Sequence, residues 1–335
     1  VACASDELGE KPIARRILGV PLVFFRDASG APAALLDRCP HRNVPLSLGR
    51  VVDGTLECGY HGWRFDGRGT CKKVPALCGP SEGAARNAPS HACREQDGFV
   101  WVWGEPDVQP DVEPFRFPLV DAPGYTTVRQ HVVAKSSVHA AAENALDVPH
   151  TAFLHTGLFR SDDRPRNRIE VIVRRWHDRV EAEYVGEPRP QGLVGKLLAP
   201  KGGVVEHFDR FLLPSIVQVE YRLEESHILV CAALTPEEDY LTHLHAVVSF
   251  KLPIRVPSAL LVPILKPVAL MIFRQDARVL ERQTETIREF GGEQYVSTEV
   301  DVLGPHILRL LRAAERGAVD ASTSEPAERR FTMDV

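Results

Sequence analysis

Between residues 39 and 63 the chain reads CPHRNVPLSLGRVVDGTLECGYHGW. Two cysteines and two histidines stand close together, at Cys39, His41, Cys58 and His61. The spacing is Cys-x-His, sixteen residues, then Cys-x-x-His. Four soft or borderline ligands this close together ask for a metal. The flanking sequence suits such a site. RILGVPLVFFRD and APAALLD are strand-like, ASG, VVDG, FDGRG and QDGF are turn signals, and GFVWVWGE is an aromatic strand. The first hundred residues therefore predict a small antiparallel β domain whose loops carry the ligand pairs.

Zinc is the simplest alternative. However, Cys₂His₂ zinc sites usually open with two cysteines two to four residues apart. One thiolate and one imidazole per loop suit a cluster with two different irons, one held by both thiolates and one by both imidazoles. Neutral imidazoles lower the cluster's negative charge and raise its potential. The stretch CPHR…CGYHGW resembles the Rieske [2Fe–2S] motif. By that resemblance Cys39 and Cys58 hold the inner iron, and His41 and His61 the outer one. Trp63 either packs against the cluster or is an ordinary core aromatic. The loops lack the extra cysteine pair of respiratory Rieske proteins, which points to the lower-potential oxygenase or ferredoxin type.

Seven cysteines and no secretion signal argue for a reducing compartment rather than a disulfide scaffold. The opening VACASDELGEKP has neither a charged n-region nor an apolar core. It also lacks an initiator Met, so the chain is expected to begin inside a longer product. The five cysteines outside the motif read as small buried apolar residues, with no role assigned to Cys71 or Cys78. A net charge of −5 implies no general affinity for nucleic acid. A cytoplasmic protein is expected.

A lone ferredoxin would stop near residue 110, and this chain has 335. Residues 1–110 form the expected Rieske domain, and the proline-rich stretch 111–124 a linker. Residues 125–320 form a second domain, and 321–335 a polar tail. The second domain shows long strands (RIEVIVRRWHDRVEAEYVG, FDRFLLPSIVQVEYRL, SHILVCAALTP, LTHLHAVVSFKL) and helical stretches near 137, 257–290 and 304–316. That pattern predicts an α+β fold, helices on an antiparallel sheet. Residues 187–205, rich in Pro and Gly, are expected to be a mobile loop.

AENALDVPHTAFLH, residues 142 to 155, places Asn144, Asp147 and His150 three apart, along one side of a helix. His155 follows five later, a slightly overwound turn away, and Pro149 is expected to loosen the helix there. A later helix carries RQDARVLERQTE, with Asp276 on the same face as Val279, Leu280 and Gln283. Two His and one Asp make the facial triad of non-heme Fe(II), with positions left open for O₂. A surface salt bridge with Arg278 or Arg282 is the plainer reading of Asp276.

N-x-x-D-x-x-H-x-x-x-x-H followed by the Asp276 segment resembles the catalytic motif of Rieske non-heme iron oxygenases. The resemblance runs from Val1 to about Phe290. It implies a helix-grip (START-like) catalytic domain, with His150, His155 and Asp276 as ligands of the mononuclear iron. It makes Asp147 the carboxylate that carries an electron from the cluster of one subunit to the iron of the next, in a homotrimer. Asp147 also reads as a hydrogen-bond partner that positions His150, and the two roles are compatible. Asn144 is a supporting residue. O₂ is the implied co-substrate. Without a GxGxxG motif the chain takes no hydride itself, so NAD(P)H serves only through a separate flavin reductase or a ferredoxin. Arg42, Arg50, Arg64, Arg68, Lys72 and Lys73 crowd the cluster loops. They either dock an acidic carrier or form a solvated loop surface.

The chain's length resembles the homotrimeric branch, so a monooxygenase is expected: hydroxylation, with demethylation as one outcome. VPSALLVPILKPVALMIF, residues 256 to 273, is apolar but interrupted by Pro257, Pro263, Lys266 and Pro267. As a lid or channel wall it would suit a bulky lipophilic, sterol-like or polycyclic substrate met at a membrane surface; it reads equally as a buried helix. The alternatives are an aromatic-ring dioxygenase, an O- or N-demethylase of a small aromatic, and a lipid-binding or electron-carrier protein without oxygenase chemistry.

Overall fold

The computed structural model describes residues 1–155, 167–188, 204–223, 226–252, 258–318 and 325–334. Within these the chain divides into two compact units, Val1–Arg116 and Phe117–Val335.

The first unit is antiparallel β. Its strands are β1 (Cys3–Ala4), β2 (Ile13–Ile17), β3 (Val20–Arg26), β4 (Pro32–Leu36), β5 (Arg50–Val52), β6 (Thr55–Glu57), β7 (Arg64–Phe65), β8 (Cys71–Lys73), β9 (Ser90–Gln96) and β10 (Phe99–Pro106). Six form a sheet in the order β1-β10-β9-β4-β3-β2, and four a smaller sheet in the order β5-β6-β7-β8. The alternation of VPLVFF sends side chains to two cores. Phe24 joins Leu22, Ala34 and Val100. Val23 and Phe25 join Leu35, Leu46, Leu56, Phe65 and the two motif cysteines. The ligand loops thus rest on an apolar floor shared by both sheets. Cys3, Cys71 and Cys231 are buried as expected, whereas Cys78 is exposed and Cys93 half-buried.

The second unit is α+β, as the strand and helix pattern predicts. Its strands are β11 (Thr126–Ala134), β12 (Arg168–Arg175), β13 (Arg179–Pro188), β14 (Val204–Leu212), β15 (Ile216–Leu223), β16 (Ser226–Glu238), β17 (Leu241–Lys251) and β18 (Ala327–Asp334). They form one antiparallel sheet in the order β11-β17-β16-β15-β14-β13-β12-β18. The helices are α1 (Val138–Leu146), α2 (His150–Leu154), α3 (Ser258–Glu289) and α4 (Gly304–Glu315). One face of the sheet, with Val173, Ala182, Phe211, Val217, Leu234 and Ala246, packs on Ala140–Ala142 of α1, Leu280 of α3 and Ile307 of α4. The alanines let α1 lie close to the strands. Ser137 caps that helix, its side chain accepting the Ala140 N–H at 3.2 Å.

A ladder of ion pairs crosses the other face, one rung per strand. Glu328 of β18 meets Arg174 of β12 at 3.2 Å, which meets Glu181 of β13 at 3.1 Å. Arg210 of β14 bridges Glu181 and Glu220 of β15, each at 2.6 Å. Glu220 in turn meets His227 of β16 at 2.8 Å. Opposite charges on neighbouring strands reinforce the register.

Two expectations are corrected here. The stretch from Asn144 to His155 is not one helix. α1 ends at Leu146, Asp147 takes extended angles (φ −92°, ψ 111°), and α2 starts afresh at His150. Pro149 disfavours helical angles at Val148, which accounts for the break. The helical reading of 257–290 holds, with Pro263 and Pro267 inside α3. Both are exposed and four residues apart on one outward side, where water can satisfy the carbonyls they leave unbonded. Lastly, the segment expected as a polar tail contains β18, paired along its length with β12 from Arg168↔Asp334 to Arg175↔Ala327. The expected mobile loop lies mostly outside the described residues, as do residues 253–257 and the side chains of 258–261 in the apolar segment. Among the described residues no helix is long and apolar enough to cross a membrane.

Candidate metal centres

The two Cys/His loops are built alike. The Cys39 carbonyl accepts the N–H of Asn43, four residues on, at 2.9 Å; the Cys58 carbonyl accepts that of Gly62, again four on, at 3.0 Å. Each cysteine N–H donates to the carbonyl five residues on, Val44 at 2.9 Å and Trp63 at 2.8 Å. Closure this tight needs left-handed backbone at the fourth position, and Asn43 (φ 60°) and Gly62 (φ 70°) supply it. These are the residue types that tolerate it best.

Cys39 and Cys58 are buried, His41 is half-buried and His61 exposed. The His41 and His61 rings lie edge to face, centroids 4.5 Å apart, and the Trp63 indole stacks on His41 at 4.7 Å. Trp63 also packs on the core beneath the loops, so both readings of it describe the same position. A cluster fits these residues on two observations. His41 Nδ1 is buried without a hydrogen bond, as a lone pair reserved for a metal would be. Burial pushes the Cys39 thiol up to about 11, while the N–H groups of His41 and Arg42 point at its sulfur and favour a thiolate.

Of the basic residues around the loops, three are paired. Arg50 and Arg64 share Glu57, at 2.8 and 2.7 Å, and Lys72 meets Glu82 at 2.7 Å. Arg42, Arg68 and Lys73 are exposed and make no ion pair among the described residues.

The break between α1 and α2 shapes the second centre. Asp147 stands at the end of α1, its N–H donating to the Asn144 carbonyl at 3.4 Å. Its side chain accepts the His150 backbone N–H at 3.0 Å. His150 Nδ1 faces the Asp147 main-chain carbonyl and lies 3.3 Å from its carboxylate. Both neighbours are acceptors, so Nδ1 carries the proton and the Nε2 lone pair is free to face inward. His155 is set the same way: its Nδ1 lies 2.8 Å from Gln275 Oε1. Both Nε2 atoms converge on Asp276 Oδ1, at 3.6 Å from His150 and 3.0 Å from His155. All three ligand atoms lie within 4.8 Å of one another.

A cation fits this arrangement. Asp276 Oδ1 is buried without a hydrogen bond, the group a metal would satisfy. Burial would lower the His150 pKa, but Asp147 and Asp276 outweigh it and raise it to about 9. Burial would raise that of Asp276, but the two histidines hold it below the usual carboxylate range. The pocket thus favours positive charge between these side chains. Sequence reading brought Asn144, Asp147, His150, His155 and Asp276 to this place. Gln275 was missed, because nothing marks a glutamine next to a candidate ligand until the tertiary fold aims it at His155.

Comparison with known proteins agrees. The family model described as the Rieske [2Fe-2S] domain matches residues 1–86. That described as the vanillate O-demethylase oxygenase C-terminal domain matches residues 135–317, more than half of the chain. The chain belongs to the Rieske non-heme iron oxygenases, as an α-subunit of their vanillate and dicamba demethylase-like branch. Its cofactors are a [2Fe–2S] cluster and a mononuclear iron. The oxygenase component of dicamba O-demethylase from Stenotrophomonas maltophilia is 39% identical over 52% of this chain and 51% of its own; the match spans about half of that relative. The vanillate O-demethylase oxygenase subunit of a Pseudomonas species is 28% identical over 96% of both chains. The crystal structure of dicamba monooxygenase bound to dicamba superposes with a TM-score of 0.80, at 27% identity, over 94% of this chain and 96% of that one.

Proposed function

We propose that this chain is the terminal oxygenase of an O- or N-demethylating system acting on a small aromatic substrate. The convergence of His150 Nε2 and His155 Nε2 on Asp276 Oδ1 carries the reading. In it, Cys39, His41, Cys58 and His61 hold the cluster, and His150, His155 and Asp276 the iron. The bound iron supplies O₂ activation at positions the three ligands leave open. The side chains of this site do the rest. The fixed tautomers of His150 and His155 keep both Nε2 lone pairs turned inward. Asp147 holds His150 and, in an assembly of subunits, would accept the cluster histidine of a neighbour and pass the electron.

Demethylation of a methoxy arene consumes O₂, two electrons and two protons. One oxygen atom enters the methyl C–H bond, the other leaves as water, and the hydroxymethyl ether collapses to a phenol and formaldehyde. The electrons come singly from an external ferredoxin or flavin reductase. Arg42, Arg68 and Lys73 are the better candidates to dock it, because Arg50, Arg64 and Lys72 already serve acidic partners within the loops.

The relatives named for dicamba and vanillate turn the substrate expectation from a bulky lipophile to a small aromatic. The test is reductase-dependent turnover of methoxy- and N-methyl-arenes by the iron-loaded enzyme. One formaldehyde per O₂ consumed supports demethylation. Ring-hydroxylated or diol product without formaldehyde would replace it.

A further inference from the structure

A second group of imidazoles lies away from both centres. His131 stands on edge strand β11, and His243 and His245 stand two apart on its neighbour β17. The register pairs His131 with His245 and Val133 with His243. All three side chains therefore point to one face of the sheet, with His131 opposite one partner and diagonal to the other. Their ligand atoms lie within 4.8 Å of one another.

The hydrogen bonds fix which nitrogen of His243 is the lone pair. His243 Nε2 lies 2.8 Å from Glu237 Oε2. The carboxylate only accepts, so Nε2 carries the proton and neutral His243 keeps its lone pair on Nδ1. That Nδ1 faces His131 Nε2 at 2.9 Å. The His131 and His245 rings stack with centroids 4.7 Å apart. A carboxylate that holds one nitrogen of an imidazole, with the other nitrogen turned toward further imidazoles, is the arrangement that orients metal-binding histidines. A tetrahedral ion with bonds of 2.0–2.1 Å sets ligand nitrogens about 3.3 Å apart. Exposed His131 and half-buried His243 can reach that spacing by side-chain rotation.

We propose that His131, His243 and His245 bind a divalent transition cation of the zinc class, with Glu237 as the positioning residue of His243. The ion would displace the proton shared by His131 and His243 and would clasp edge strand β11 to β17. A fourth position stays open for water.

The test adds zinc alone to the cluster- and iron-loaded enzyme, with a competing chelator. Zinc and iron are counted in the same samples. The expected result is one zinc per chain with iron retained. His131→Ala should weaken zinc binding roughly 100-fold or more, and Glu237→Gln about 10- to 100-fold. Iron content should be unchanged in both. His131 is exposed and Glu237 half-buried, so folding is spared; unchanged circular dichroism verifies this. Three results would overturn the site: no zinc bound by the wild type, equal binding by the wild type and His131→Ala, or iron lost in step with zinc gained.

Discussion

Gln275 Oε1 lies 2.8 Å from His155 Nδ1 and so decides which nitrogen of that ring faces Asp276. The side chain of His155 is 2% exposed, so no water can take over this task. The residue beside the carboxylate ligand thus sets the chemistry of a ligand 120 positions earlier.

Replacing Gln275 by Leu should therefore weaken the mononuclear iron about 10- to 100-fold. The cluster should be untouched, since it belongs to the other unit. Gln275→Glu keeps an acceptor and should restore much of the loss. Iron per chain after dialysis, read beside the visible spectrum of the cluster, is the measurement; equal iron in wild type and Gln275→Leu refutes it.

Asp147→Asn retains an oxygen for the His150 N–H but removes the charge. We expect turnover to fall by about 100-fold with iron and cluster contents unchanged, and with reduction of the cluster by its carrier at the normal rate. Activity that falls only in proportion to lost iron would reduce Asp147 to a structural partner of His150.

Arg210 sits between Glu181 and Glu220, and the Glu220 side chain is 7% exposed. Burial would raise the Glu220 pKa, but Arg210, with His227 and Arg222, more than offsets this and holds it low. Arg210→Met leaves Glu181 to Arg174, and Glu220 to Arg222 and His227, and should cost about 2 kcal/mol, seen in denaturant unfolding. The wild-type contribution should be present above pH 4.5 and be lost as the pH falls through the depressed value. Arg282→Ala, which breaks an exposed pair with Glu285, should leave stability unaltered.

His207 lies between Glu187 Oε2 at 2.6 Å and Asp209 Oδ1 at 3.0 Å, with Tyr184 and Tyr221 stacked on its two sides. Burial would lower its pKa, but the two carboxylates raise it to about 9. A raised value stabilises the fold below pH 6.5 and is lost as pH rises through 9. The span corresponds to about 3 kcal/mol. The His207 imidazole resonances should titrate near pH 9, and the melting temperature should drop across that range. A midpoint near 6.5 would show that the carboxylates do not govern the ring.

The cluster loops were legible because four ligand residues and the turn residues around them are local in sequence. Most strands of the large sheet were legible from long runs of β-branched residues. β18 was hidden because AERRFTMD lies on an edge strand, where only Met333 is buried and the charged residues face water. The end of α1 was misread in part: spacing by three suits a helix, and Pro149, read as loosening that helix, in fact ends it through its effect on Val148. That misreading matters, because the extended backbone at Asp147 is what lets its carboxylate reach the His150 N–H.

The turn in each Cys/His loop is closed by main-chain hydrogen bonds to and from the cysteine backbone. We expect these bonds to hold the loops in shape when the cluster is lost. Oxidative loss of the cluster would leave a cast mould rather than slack chain, so the scaffold can be refilled without being refolded.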